Sequence, residues 1–133
     1  MSVGYDIRSL LETAGIHADV NNINSALAST ISVMETGGYP PTRCNSSNTP
    51  APVTERLTVQ IIVRDPQKPA ANKTITQIIA ALDDTTNCVV NDTHYVSLMI
   101  SIPPVFLGRV QTGQGETNEY SINFEAIMWK TYK

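Results

Sequence analysis

The sequence predicts an α+β fold in which two helices pack on one face of a mainly antiparallel four-stranded sheet, in the order α-β-β-α-β-β. Three observations lead there. Two segments carry apolar residues at i, i+3, i+4 and i+7, the spacing that draws one apolar stripe down a helix: Ile7, Leu10, Leu11 and Ala14, then Ile75, Ile78, Ile79 and Leu82. Three segments, 56–64, 94–102 and 119–132, alternate apolar and polar residues with the period of a half-buried strand. Each helix therefore has one stripe to hide and each strand one face. Laying both helices on one sheet buries all of them together.

The elements follow in order. The first helix spans 6–14, with Gly15 as its stop. Residues 18–25 are Asn-rich and weakly alternating, a short strand or loop. Thr30, Ile31 and Val33 mark a β-like run over 30–35, ended by the breaker Thr36-Gly37-Gly38-Tyr39-Pro40-Pro41. Residues 42–54 are rich in Pro, Asn and Ser and read as an exposed loop. In the strand over 56–64, Leu57, Val59, Ile61 and Val63 face one way, with Thr58, Gln60, Ile62 and Arg64 opposite. Asp65-Pro66-Gln67-Lys68-Pro69 breaks it, and the second helix starts near Asn72 or Lys73. Val96, Leu98, Ile100 and Ile102 share a face of the third strand, which Pro103-Pro104 closes. A Gly/Gln-rich loop covers 108–118. The last strand turns Tyr120, Ile122, Phe124, Ala126 and Met128 to one side. The expected core sets the two helix stripes on Val59, Ile61, Val96, Leu98, Ile100, Ile122 and Phe124.

A chain of 133 residues bounds a single domain, 1–133, that fills a core without metal or disulfide staples. Hydrophobic residues make up 41% and charged residues 16%, which fits a globular chain whose surface leans on Asn, Thr, Ser and Gln. Such a surface is compatible with burial against neighbouring subunits. The net charge of -3 supplies no attraction to nucleic acid or an acidic membrane. No window approaches the ~20 apolar residues of a membrane span, and the first residues lack a signal peptide's regions, so a cytoplasmic product is expected. Cys44 and Cys88 lack zinc-ligand spacing and are expected as unpaired thiols, with a disulfide between them as the alternative. Asn45-Ser46-Ser47, Asn72-Lys73-Thr74 and Asn91-Asp92-Thr93 match the glycosylation sequon by chance in an Asn/Thr-rich chain.

Candidates for chemistry are few. His17 and His94 come without a nucleophile motif, and each is expected as a surface histidine. Asp83-Asp84 lacks the spacing of a calcium loop and reads as a solvated helix end. The glycines of 108–115 precede no helix and form no phosphate cradle. Arg64 is expected at the surface, with Asp65 or a neighbouring subunit as its alternatives. No catalytic, cofactor-binding or metal-binding residue is predicted, and no cofactor.

Three landmarks, taken in order, resemble a known group. They are Glu35-Thr36-Gly37-Gly38-Tyr39-Pro40-Pro41; the strand Leu57-Thr58-Val59-Gln60-Ile61-Ile62-Val63-Arg64; and Pro103-Pro104-Val105-Phe106-Leu107-Gly108 leading into Tyr120-Ser121-Ile122-Asn123-Phe124. In these the chain resembles the tail-terminator and minor capsid family of tailed bacteriophages. The resemblance implies a structural virion protein without enzymatic activity, forming a homo-oligomeric ring, a hexamer, at the head-proximal end of the tail. It implies the tail tube protein and head-completion or stopper proteins as partners, with assembly in the host cytoplasm. The sequence departs from the family in the loop over 42–54 and the polar segment 18–29. A head-side adaptor or stopper is the alternative, and a small ligand-binding or enzyme domain a more distant one, since no convergent polar pocket residues are visible.

Overall fold

The structure is a computed structural model that describes residues 3–42 and 52–131. Its elements are α1 (Val3–Thr13), β1 (Asp19–Val20), β2 (Thr30–Thr42), β3 (Pro52–Asp65), α2 (Lys68–Leu82), β4 (Thr85–Val90), β5 (Thr93–Thr112) and β6 (Gly115–Thr131). The strands form one six-stranded sheet in the order β1-β2-β3-β6-β5-β4. β1 and β2 are parallel, and the other neighbours are antiparallel.

This corrects the expected fold class. The sheet has six strands, is mixed, and dominates the described chain; the order is α-β-β-β-α-β-β-β. β1 lies in the segment left open between strand and loop, and β4 was not expected, both for local reasons. β1 has two residues, too few for any period. β4 reads Thr-Thr-Asn-Cys-Val-Val and buries mainly its last residue, so it never alternates.

The long strands also run through expected breakers. β2 continues across residues 36–41 by shifting register between Glu35 and Gly37 and again between Tyr39 and Thr42. Gly37 takes a φ of 99° at the first shift, a conformation that costs a side chain energy. A Cβ on Gly38 would collide with the Arg56 carbonyl oxygen of β3. The two glycines are thus what lets β2 bend while staying paired. Residues 43–51, most of the expected 42–54 loop, lie outside the described residues, while Thr42 and 52–54 are strand.

β5 absorbs Pro103-Pro104 in the same manner. Its register against β6 shifts four times, between Tyr95 and Ser97, Ile100 and Ile102, Ile102 and Val105, and Phe106 and Gly108. Each shift sets one extra β5 residue against β6. The expected loop over 108–118 is instead a paired hairpin that turns at Gly113-Gln114, with Thr112 opposite Gly115. Thr112 Oγ1 donates to the Gly115 carbonyl at 2.6 Å and closes the turn.

The bulges redirect the third expected strand face. Tyr95 and Leu98 face the core at 4% and 2% exposure, whereas Val96 is the extra residue of the first bulge and drops out of the core. A second bulge turns Ile102 to the outer face, where it is 49% exposed. Strict alternation cannot survive an odd insertion.

Both helices bury against one face of the sheet. Ile7 and Leu11 of α1, with Ile75, Ile78 and Leu82 of α2, join Val59, Ile61, Ile122 and Phe124 in one cluster. Leu10, Ile79 and Ile100 are only partly buried at its rim. The other face is covered near one end: Ser32, Ile62 and Ser121 form a buried row across β2, β3 and β6. The polar segment after β1 folds back there. Ser32 Oγ donates to the Asn22 carbonyl at 2.7 Å, Thr117 Oγ1 to the Ala28 carbonyl at 2.5 Å, and the Gly113 amide to the Ser25 carbonyl at 2.9 Å.

Truncating fully buried Ile78 to Ala should cost roughly 2–5 kcal/mol. Ile79→Ala at the rim should cost less, and Thr58→Ala on the outer face less than about 1 kcal/mol. Urea unfolding of the three variants checks the ranking; equal losses would mean that both sheet faces are equally buried.

Candidate assembly surface

The residues singled out for chemistry are dispersed. His17 is exposed beside an open cleft of about 270 Å³, shared with Asp19, Ser29, Arg64, Asp65 and Thr74. His94 is exposed near the β4–β5 turn, paired with Val89 of the neighbouring strand. Asp83 caps the end of α2, and its carboxylate accepts the Ile100 amide of β5 at 2.9 Å; Asp84 takes a φ of 60° in the turn that follows. Adjacent in sequence, the two acids serve different local needs. Among the described residues no three His, Cys, Asp or Glu side chains gather as metal ligands, and no helix is long and apolar enough to cross a membrane. Cys88 is a free, half-buried thiol on β4, and Cys44 lies outside the described residues.

Arg64 has a partner that was not expected. Its Nε and Nη2 both lie 2.7 Å from Glu119 Oε2, and the two side chains are only 13% and 16% exposed. Glu119 stands directly opposite Arg64 in the β3–β6 register. The pairing required knowing which strands are neighbours, since 55 positions separate the residues. Asp65 is engaged elsewhere, accepting from the Gln67 amide at 2.9 Å.

One buried polar cluster was missed altogether. Asp6 is 1% exposed, on the face of α1 that meets the sheet. The Tyr95 hydroxyl donates to its Oδ2, and Asn91 Nδ2 donates to its Oδ1 at 3.0 Å. Asn91 Nδ2 also reaches Ser9 Oγ at 3.2 Å. Burial, followed by the hydrogen bond to Asp6 and its charge, pushes the Tyr95 phenol well above its ordinary range. The cluster pins α1 to the β4–β5 hairpin. The sequence signal for it was slight: an acid one residue before the apolar stripe begins.

The surface stands out for apolar exposure along a single strand. Met99, Ile102, Val105, Phe106 and Leu107 of β5 are each 44–49% exposed. Met99, Ile102 and Val105 pair with Glu125, Asn123 and Ser121 and so lie on the face away from the helices. Phe106 pairs with Tyr120 on the helix side, with ring centroids 5.2 Å apart and Lys68 Nζ 4.9 Å from the Phe106 centroid. Single exposed apolar side chains are ordinary, whereas several along one strand make it the candidate assembly surface.

Residues 11–128 match the family model described as bacteriophage tail terminator protein. The chain belongs to the tail terminator family. The match takes in five whole strands and all but the last three residues of β6, together with the exposed run on β5. It makes the chain a structural protein of a phage tail, and the family is not one of enzymes. A chain in the solved structure titled "Virion of native gene transfer agent (GTA) particle" shares the fold, with a TM-score of 0.58 at 13% identity. The likeness covers 97% of this chain and 96% of that chain. No curated protein matches it.

Two outcomes follow for these polar groups. Replacing Arg64 with Met strands the Glu119 carboxylate and should cost more than replacing both with apolar residues, because a half-removed buried pair leaves an uncompensated charge. Chemical denaturation of the single and double variants checks that order. A tyrosine with a raised native pKa keeps its proton in the fold where the unfolded chain releases it. Its stabilisation is complete below the ordinary value of about 10 and is lost as pH rises beyond it. Tyr95→Phe should therefore flatten the fall in stability above about pH 10; unchanged alkaline sensitivity would contradict the role of this hydroxyl.

Proposed function

We propose that this chain, acting as one domain, closes into a ring of six copies on the head-proximal end of the tail tube. There it stops tube growth and offers its free side to the head-completion or stopper proteins. The family match over residues 11–128 carries this reading, and it favours the tail side over a head-side adaptor.

Physical considerations support it. A ring subunit needs two different surfaces that meet one another's counterparts, because a head-to-tail contact repeated by rotation closes a cycle. Exposed apolar side chains on β5 supply one such surface. No catalytic residue, cofactor or metal enters the proposed role: ending a tube is a matter of shape and contact. The low charged content, 16% of residues, suits surfaces that are covered in the assembled particle.

The chain should bind one end of purified tail tubes and prevent further addition of tube subunits. Particles made without it should carry tails of uncontrolled length that fail to join heads. Electron microscopy of the tail-length distribution checks this; tails of normal length that join heads would overturn the terminator role.

A further inference from the structure

Two short strands end their pairing in the same way. β1 pairs with β2 only at Ser32 and Val33, after which the Asn21 side-chain oxygen accepts the Glu35 amide at 2.9 Å. β4 pairs with β5 as far as Leu98, after which the Asp83 carboxylate accepts the Ile100 amide. Beyond each of these caps the longer strand continues, among the described residues, with a strand neighbour on one side only. Among the described residues, 36–42 of β2 pair with β3 alone, and 101–112 of β5 with β6 alone. An unpaired edge presents a row of free backbone donors and acceptors and is a template for another strand.

The two edges suit each other in direction. β2, β3, β6 and β5 alternate in polarity, so β2 and β5 run opposite ways on the two sides of these four strands. A second copy placed beside the first by rotation, with its helices on the same side, brings its β2 antiparallel to the first copy's β5. The open stretches sit diagonally, that of β5 toward the β5–β6 turn and that of β2 toward the far end. Joining them offsets successive copies along the strands, and a closed barrel takes up such an offset by tilting its strands.

Prolines narrow the contact. Pro40-Pro41 and Pro103-Pro104 offer no N–H. They bar main-chain pairing along part of each edge and leave residues 36–39 of β2 and 105–112 of β5 open. Such a restriction discourages indiscriminate strand addition and favours one register.

We propose that residues 105–112 of one copy add to residues 36–39 of the next, continuing the sheet from subunit to subunit around the ring. Ile102, Val105 and Leu107 pack against the neighbour beside this junction. The occupant is a second copy because one chain carries both halves of the contact with the required polarity. The proposal rests on the ring reading above.

The test blocks one edge at a time. Val105→Asp combined with Leu107→Asp alters the β5 edge at exposed positions, and Thr36→Pro alters the β2 edge; Thr36→Lys replaces it if the proline variant fails to fold by circular dichroism. Masses are read by light scattering, alone and with tail tubes. The wild-type chain should assemble into rings, and each blocked variant should stay at the 14.5 kDa of one chain. Mixed together, the two variants should form a species of two chains and nothing larger, because each retains the edge the other lacks. Val89→Asp, at an exposed site on β4, should assemble like the wild type. Blocked variants that still form rings, or a mixture that stays monomeric while the wild type assembles, would overturn the edge pairing and leave the ring standing. A wild-type chain that remains monomeric even with tail tubes would overturn both.

Discussion

The rest of the molecule depends on one ladder. β3 and β6 pair over fourteen positions, from Pro52 opposite Thr131 to Asp65 opposite Asn118, without a register shift. Because nothing interrupts it, alternation holds along both strands, and Val59, Ile61, Val63, Ile122, Phe124 and Ala126 all turn to one side at no more than 1% exposure. Ile7 and Leu11 of α1 and Ile75, Ile78 and Leu82 of α2 join these residues in one buried cluster. Arg64 and Glu119 close one end of the ladder, and Asn118 Nδ2 donates there to the carbonyls of Asp65 and Pro66 at 3.1 Å. That end is therefore fixed by charge and hydrogen bonds together, next to the hairpin that carries the exposed strand.

Against this regular centre, the flanking strands are deliberately irregular. β5 takes four extra residues relative to β6, and each bulge bends the strand and raises its local twist. The consequence is functional as well as geometric. Odd insertions bring apolar residues that a regular strand would bury, such as Ile102, out to solvent, while leaving the backbone paired on its inner side. A rigid scaffold thus presents an apolar edge without a flexible loop.

Legibility in the sequence followed the same division. β3 and β6 announced themselves because uninterrupted ladders preserve the period of two, and the two helix stripes were visible because helical periodicity is local. The face of β5 was misread because Val96 and Ser101 are bulge residues, and a bulge leaves no mark in a single strand's pattern. Gly37-Gly38 and Pro103-Pro104 are breakers by chemistry, yet here each is held by the strand alongside, β3 or β6. Whether such a residue ends a strand or bends it depends on a partner far away in the chain. Asp6 and Tyr95 are 89 positions apart, so their buried contact was equally invisible. The family itself was legible from landmarks strung along the chain.

A regular centre holds the fold, and the bulged margins are where the proposed ring contacts lie. The most direct measurement is a map of the finished tail end at a resolution that separates strands. The map should show a six-fold ring in which the sheet passes from the β5 edge of one subunit to the β2 edge of the next, with the helices all on one side. A single copy of this chain away from the tail axis, or a ring whose subunits touch only through α1 and α2, would contradict it.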